Sequence, residues 1–343
     1  MKAIGYQESL PINQDNALMD IELPQPKANG HDLLVQIKAI SVNPVDCKIR
    51  MRAQADAGDY KVLGWDAVGE VVATGEDVSL FQPGDQVFYA GDVTRAGSNA
   101  QYQLVDERIV GHKPKSISAP QAAALPLTSI TAWELLFEHL QLTKRNTQSQ
   151  DKAASDEVLL IVGAAGGVGS IMIQLAKRLT NATIIATASR PSSKQWVREL
   201  GADFVVDHTQ DLVTQIKALN LPTLTHVASL NQTDRYFESY IELLAPFGKI
   251  GLIDDPKPLD IAKIKPKSLS LHWEFMFARS MFAAKDIQVQ GEILNQISQL
   301  IDQGELTTTL GEHLGRINAT NLKQAHRLIE SGQAIGKIVL EDF

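Results

Sequence analysis

One stretch constrains this chain more than any other: VLLIVGAAGGVGSIMIQLAKRL at residues 158–179. The first apolar residues do not alternate with polar ones, as in a strand buried on both faces. The glycine-rich turn follows at once, and the last residues repeat apolar positions at helical spacing. A G-x-G-x-x-G frame ending at Gly169 puts Ala164, Gly166 and Gly169 at its three positions, with Gly163 just before them. The three positions serve a tight turn, close approach of backbone to a pyrophosphate, and close packing of helix on sheet. Ala165, Gly167 and Val168 complete the loop, and the helix start offers N–H groups and a partial positive charge to phosphates. Small residues in such a turn also serve packing alone. The strand–turn–helix context and the strand that follows favour dinucleotide binding.

Downstream the pattern repeats. TIIATA (183–188), FVVDH (204–208), THVASL (225–230) and GKIGLID (248–254) are short apolar runs. Helical stretches are expected over 168–180, near 192–200, near 210–218 and over 234–245, and GKIGLID closes the series. Apolar runs linked by amphipathic helices specify a doubly wound α/β fold, a Rossmann parallel sheet covered on both faces.

Upstream, residues 1–125 have the texture of short strands. LLVQIKAI (33–40) and GEVVATG (69–75) are separated by turn signals such as QPGD (82–85), in which Pro presets φ and Gly accepts positive φ. A barrel or partly open sheet is expected there. PLTSITAWELLFEHL (126–140) reads as a helix and 142–157 as a surface loop. Helices over 286–303 and near 320–331 and a last strand at 336–343 form a tail outside the alternation. The expected division is a β-rich domain over 1–125, completed by a tail from about 275 to 343, and a dinucleotide domain over 126–274.

The cofactor is legible at ATASRPSSK (186–194). An NAD site places a carboxylate about 20 residues after the glycines, on the ribose hydroxyls. That count lands on Ser189, followed by Arg190, with Lys194 beyond. A hydroxyl and a guanidinium fork suit a 2′-phosphate, which a carboxylate would repel. NADPH is therefore expected, with Ser189, Arg190 and Lys194 as its ligands; a solvated surface cation is a plausible alternative for Lys194 and a weaker one for Arg190.

The net charge of −8 argues against a nucleic-acid partner, and no segment reads as a signal peptide or membrane span, which points to the cytoplasm. The single cysteine, Cys47, excludes an internal disulfide and a cysteine-rich structural zinc site. The eight histidines are scattered, with no pair at metal-ligand spacing.

VNPVD (42–46), LGWDAVGEVVATGEDVSLFQPGDQV (63–87), LPLTSITAWELL (125–136), the glycine loop and HWEFMFARSMF (272–282) together resemble the medium-chain dehydrogenase/reductase superfamily, over essentially the whole chain. The likeness is greatest to its quinone oxidoreductase-like branch. It implies a GroES-like β-rich catalytic domain beside the Rossmann domain, and a homodimer. Zinc-dependent relatives carry a cysteine where this chain has Asn43, and a His-Glu pair where it has Trp65-Asp66. Their third ligand would fall near 127–129, where this chain offers none, so no zinc is expected.

The resemblance further implies that Asn43 lies near the reactive end of the cofactor, as orienting group or oxyanion donor, although an Asn before Pro is also a turn residue. Asp46 is expected to order that loop, with a place in a proton relay as the alternative, and Asp66 to make a fixed ion pair or backbone bond. Thr128 and Thr131 are candidates for the carboxamide, Thr128 being equally a helix cap. Tyr60, Trp65, Phe277 and Met281 are candidates for the acceptor pocket, with Arg279 nearby, and Lys337 for the cofactor phosphates. Without a metal, hydride transfer suits an acceptor that needs little Lewis-acid help, a quinone or an α,β-unsaturated carbonyl. A zinc alcohol dehydrogenase with unrecognised ligands and an NADPH-binding sensor without turnover are the alternatives.

Overall fold

The computed structural model describes residues 1–145 and 156–343, so the loop expected over 142–157 lies for the most part outside the described residues. The chain forms two compact units, Met1–Ile130 with Phe277–Phe343, and Thr131–Met276. The first unit opens with β1 (Lys2–Tyr6), β2 (Met19–Glu22) and β3 (Asp32–Val42). Then come β4 (Lys61–Val62), β5 (Ala67–Thr74), β6 (Gln86–Tyr89), β7 (Tyr102–Asp106) and β8 (Gly111–His112). On β3, Val35, Ile37 and Ala39 are buried while Gln36 and Lys38 between them are less so, a period-2 pattern; on either side, Leu33 and Leu34, and Ile40, Ser41 and Val42, are buried at consecutive positions. The turn before β6 uses Pro83 and Gly84 as expected: Gly84 sits at φ +100° and Asp85 N–H donates to Gln82 C=O at 3.1 Å.

Three helices belong to this stretch: α1 (Pro44–Arg52), α2 (Ala119–Ala123) and α3 (Pro126–Trp133). Beyond α3 the chain continues as a π-helical turn over Glu134–His139, with Leu140 N–H bonded to Leu135 C=O at 2.9 Å. The sequence period alone does not distinguish this from an α-helix.

The second unit alternates β9 (Val158–Val162), α4 (Gly167–Leu179), β10 (Thr183–Thr187), α5 (Pro191–Glu199) and β11 (Phe204–Val206). It goes on with α6 (Leu212–Ala218), β12 (Leu224–Ser229), α7 (Thr233–Leu243), β13 (Leu244–Leu252) and β14 (Ser270–Trp273). All pairings are parallel, in the order β11-β10-β9-β12-β13-β14. This is the Rossmann order, with its reversal between β9 and β12. Every residue of β9 is buried, and Tyr236, Phe237 and Tyr240 of α7 pack with Leu160, Val227 and Ile250 in the core. Two expectations are corrected. The strand written as GKIGLID begins earlier, at Leu244, and a sixth strand follows it, β14, which pairs Gly251 with His272. As a short edge strand with one neighbour, β14 carries no continuous apolar run to announce it.

The tail supplies α8 (Ala278–Met281), α9 (Val289–Asp302), β15 (Leu310–Arg316), α10 (Ala319–Glu330) and β16 (Lys337–Glu341). β16 lies antiparallel to β3, pairing Ile338 with Val42, and extends the main sheet of the first unit to β15-β16-β3-β5-β6-β8, with β7 also on β3. No helix among the described residues is long and apolar enough to cross a membrane.

Candidate functional site

The second unit carries its constellation at the carboxyl ends of its central strands. β9 stops at Val162, and Gly163 turns the chain at φ +79°, a conformation that favours glycine. Its N–H donates to Thr187 Oγ1 at 3.1 Å, which pins the turn to the end of β10. A Cβ at Gly169 would lie 2.4 Å from the carbonyl oxygen of Ala164, so the glycine lets α4 start against the turn. At Gly166 the nearest atom to such a Cβ is 3.5 Å away, and Gly166 caps α4 without any side-chain bond. An added methyl at Gly166 would fit the fold and fill the cradle that a pyrophosphate would use, beside the positive end of the helix. Ala164 is buried, while Ala165, Gly166, Gly167 and Val168 are partly exposed around that cradle. The turn sits at the reversal of strand order, where open α/β sheets bind ligands. The residues fit a dinucleotide. Thr187 escaped the sequence reading; a hydroxyl ending the second strand was the only signal.

At the end of β10, Ser189 is half-buried and Arg190 is exposed, immediately before α5. Arg190 N–H donates to Ser193 Oγ at 3.2 Å, which stiffens the segment. Lys194 Nζ pairs with Asp207 Oδ2 at 2.9 Å and, with Thr209, holds that carboxyl down to about 2. Its charge is therefore already answered within the unit. Thr128 Oγ1, buried in the first unit, donates back to the C=O of Leu125 just before α3 at 3.1 Å, so in this bond the hydroxyl is a donor and not a cap for the N–H groups of the helix start. Thr131, in the second unit, is also buried.

In the first unit the pairing of Ile338 with Val42 brings Lys337 beside Asn43. Lys337 Nζ donates to Asn43 Oδ1, to Asp66 Oδ2 at 2.9 Å and to Val42 C=O at 3.2 Å. Asn43 Nδ2 donates to Asp66 Oδ2 at 2.8 Å and to Trp65 C=O at 3.2 Å, and Leu127 N–H donates to Asp66 Oδ1 at 2.7 Å. Asn43 also caps α1, its N–H bonded to Asp46 Oδ2 at 2.7 Å. Asn43, Asp46, Asp66 and Lys337 are all buried, no residue of the four more than 3% exposed. Burial pushes the Asp46 carboxyl up to about 7 and the nearby Asp66 charge adds to this, against the pull of the Asn43 N–H and Lys337. Asp46 Oδ1 is buried with no hydrogen-bond partner among the described residues.

This geometry revises two expectations. Both amide hydrogens of Asn43 are engaged inside the protein, so it has none to give an oxyanion. Lys337 has its ammonium on three internal acceptors, instead of facing a cofactor phosphate. Asp46 and Asp66 take the structural roles that their residue types suggested. The four pocket candidates divide: Trp65 and Phe277 are buried edge-to-face on each other, centroids 6.2 Å apart, whereas Tyr60 and Met281 are exposed. Trp65 Nε1 donates to Asp92 C=O, and Arg279 pairs with Asp286.

A catalytic zinc asks for three ligands among Cys, His, Asp and Glu. Around Asn43 the donor set is an amide, the carboxylates of Asp46 and Asp66 and a lysine ammonium, and the ammonium among them does not fit that ion. A second group is gathered by α1 and α10: Cys47, His326 and Glu330 have ligand atoms within 4.8 Å of one another. Here the scattered histidines of the sequence are corrected, because His326 Nδ1 lies 3.4 Å from Cys47 Sγ across 279 residues of chain. The fully buried Arg50 occupies the group, with Nε on His326 Nδ1 and NH2 on Glu330. Burial pushes the Cys47 thiol well up and His326 down to about 3, so the thiol stays protonated and the imidazole neutral. A guanidinium answers these acceptors, which argues against an ion there.

The sequence matches the family model described as alcohol dehydrogenase GroES-like domain over residues 29–115 and that described as zinc-binding dehydrogenase over residues 200–340. A zinc-type alcohol dehydrogenase-like protein of Staphylococcus aureus (strain MSSA476) is 40% identical over 99% of both chains. A crystal structure of a protein from Rhizobium etli CFN 42 shares 52% identity at TM-score 0.94, covering 100% of this chain and 98% of that one. The quinone oxidoreductase of Coxiella burnetii shares 26% at TM-score 0.79 over 99% of both chains. With the strand order, the glycine turn and these likenesses in agreement, the chain belongs to the medium-chain dehydrogenase/reductase superfamily and is an oxidoreductase of that family.

Proposed function

We propose that this oxidoreductase uses NADPH and works without zinc, reducing a quinone or the double bond of an α,β-unsaturated carbonyl. The observation that carries the proposal is Lys337, whose ammonium stands among Asn43 and Asp66 where a metal would need acceptors alone. The preference for NADPH is supported by Ser189 and Arg190, with no carboxylate at the end of β10. The cofactor supplies the hydride when bound. The glycine turn and the start of α4 hold its pyrophosphate, and Arg190 holds the 2′-phosphate with a charge-assisted fork. Without a Lewis acid the acceptor must stabilise its own developing charge, as quinones and enones do, with the proton drawn from water. The likeness to the Coxiella quinone oxidoreductase agrees with this acceptor class. A cytoplasmic homodimer belongs to the same proposal; light scattering on purified protein tests the dimer.

One observation favours a second reading, an NADPH sensor without turnover: Asn43 has no free hydrogen to offer a substrate. Both readings meet one experiment, NADPH oxidation with 1,4-benzoquinone, a larger quinone and a simple enone on metal-analysed protein, with NADH in parallel. Turnover with NADPH at sub-stoichiometric zinc is the expected result. Tight NADPH binding without turnover would select the sensor. Stoichiometric zinc with chelator-sensitive alcohol oxidation would overturn the proposal.

A further inference from the structure

Helix α5 carries a side chain that the proposed chemistry leaves without a role. Trp196 Nε1 donates to Ser170 Oγ at 2.8 Å, and Ser170 Oγ donates to Gly166 C=O at 2.7 Å. The same carbonyl also receives Ser170 N–H at 2.9 Å. Ser170 is fully buried, and Gly166 is the middle position of the glycine turn. The direction of this relay is forced. An indole nitrogen donates and has no lone pair to accept with, so the single hydroxyl hydrogen of Ser170 must go elsewhere, and Gly166 C=O is the acceptor within reach. Without Trp196 the hydroxyl rotor would be free to turn.

We infer that Trp196 is a positioning residue of the dinucleotide site, acting through Ser170 on the peptide between Gly166 and Gly167. That peptide is trans and planar, so fixing its carbonyl toward the helix fixes the Gly167 N–H in the opposite direction, out of the start of α4. With two consecutive glycines, the Ser170 N–H alone would hold that plane less firmly than the N–H and the hydroxyl together. The relay holds one N–H aimed at the position of the pyrophosphate. The inference rests on the dinucleotide reading of the glycine turn and adds to it the residue that keeps the turn aligned.

The test is titration of the full chain with NADPH and, separately, with adenosine 2′-monophosphate, which has no pyrophosphate. Trp196→Phe keeps an aromatic ring and removes the N–H; Ser170→Ala removes the relay at its middle and serves if the first variant folds poorly. Each is expected to weaken NADPH about threefold to tenfold, the worth of one hydrogen bond, and the double variant no more than either alone. Adenosine 2′-monophosphate should bind all of them equally. Equal weakening of both ligands would mean a loosened α5 and overturn the inference, as would unchanged NADPH binding in both single variants. Failure of the unaltered protein to bind NADPH would instead remove the cofactor reading, and this inference with it.

Discussion

Lys337 Nζ lies 2.9 Å from Asp66 Oδ2, with both side chains buried, although 271 residues separate them. Removing one partner of a buried pair leaves the other charge uncompensated. Lys337→Met is expected to cost about 3–5 kcal/mol of stability, read from urea unfolding. Lys337→Met with Asp66→Asn should recover most of that loss; a double variant as unstable as the single one would remove charge as the cause.

Asp46 makes its own contribution to pH dependence. Its folded carboxyl sits at about 7 against an ordinary 3.8, so between those values the folded state holds more of the proton than the unfolded chain. Stability from this group is therefore greatest below about pH 4, falls as pH rises toward 7, and is level above. Asp46→Asn keeps an acceptor for the Asn43 N–H and should flatten that part of the curve. Unfolding curves between about pH 4.5 and 7.5 on both proteins make the comparison; a parallel pair of curves would rule Asp46 out.

His326 acts with the opposite sign. Burial, with Arg50 adding to it, takes it down to about 3 from an ordinary 6.5, so the unfolded chain binds the extra proton in that window. Stability from this group is present above about pH 6.5 and is lost as pH falls toward about 3. His326→Gln, lacking a titrating ring, should shift acid unfolding to lower pH relative to its own stability at about pH 8. An acid midpoint that stays in step with the parent protein would show that another group governs it.

Gly163, Gly166 and Gly169 should fail in different ways when changed to Ala. At Gly163 the backbone is at φ +79° and a Cβ would meet Asn231 Oδ1 at 3.0 Å, so stability should drop by about 1–2 kcal/mol or more. At Gly169 the clash is with backbone, and folding itself should suffer. At Gly166 the fold has room, so the melting temperature should hold while dinucleotide binding is lost. A Gly166→Ala protein that binds NADPH normally would move the pyrophosphate elsewhere.

Arg190→Ala is expected to weaken NADPH by about 1.5–3 kcal/mol and NADH much less, the loss of a charge-assisted bond to the 2′-phosphate. Lys194→Ala should change the preference less, because its ammonium is already paired with Asp207. Equal losses for both cofactors on Arg190→Ala would take that residue out of phosphate recognition.

What the sequence alone determined is what short stretches determine. The apolar run of β9, the glycines after it and the helix behind them specify a strand, a glycine turn and a helix within one stretch, residues 158–179, the local unit on which the dinucleotide proposal stands. The repeats that follow specify a parallel sheet, because burial on two faces and helical periodicity are written locally. The missing carboxylate at Ser189 is visible for the same reason. Strand order, the sixth strand and the π-helical turn are not, since none changes the local pattern of apolar residues. The polar cluster of the first unit is beyond reach altogether: Asn43 and Lys337 meet across 294 residues only because β16 pairs with β3 in one register. A slip of one residue would turn Lys337 to the other face of the sheet. Residue types announce a lysine and an asparagine. Only the tertiary register decided that each would complete the other's hydrogen bonds, because a buried charge is tolerable only where the fold gathers its acceptors.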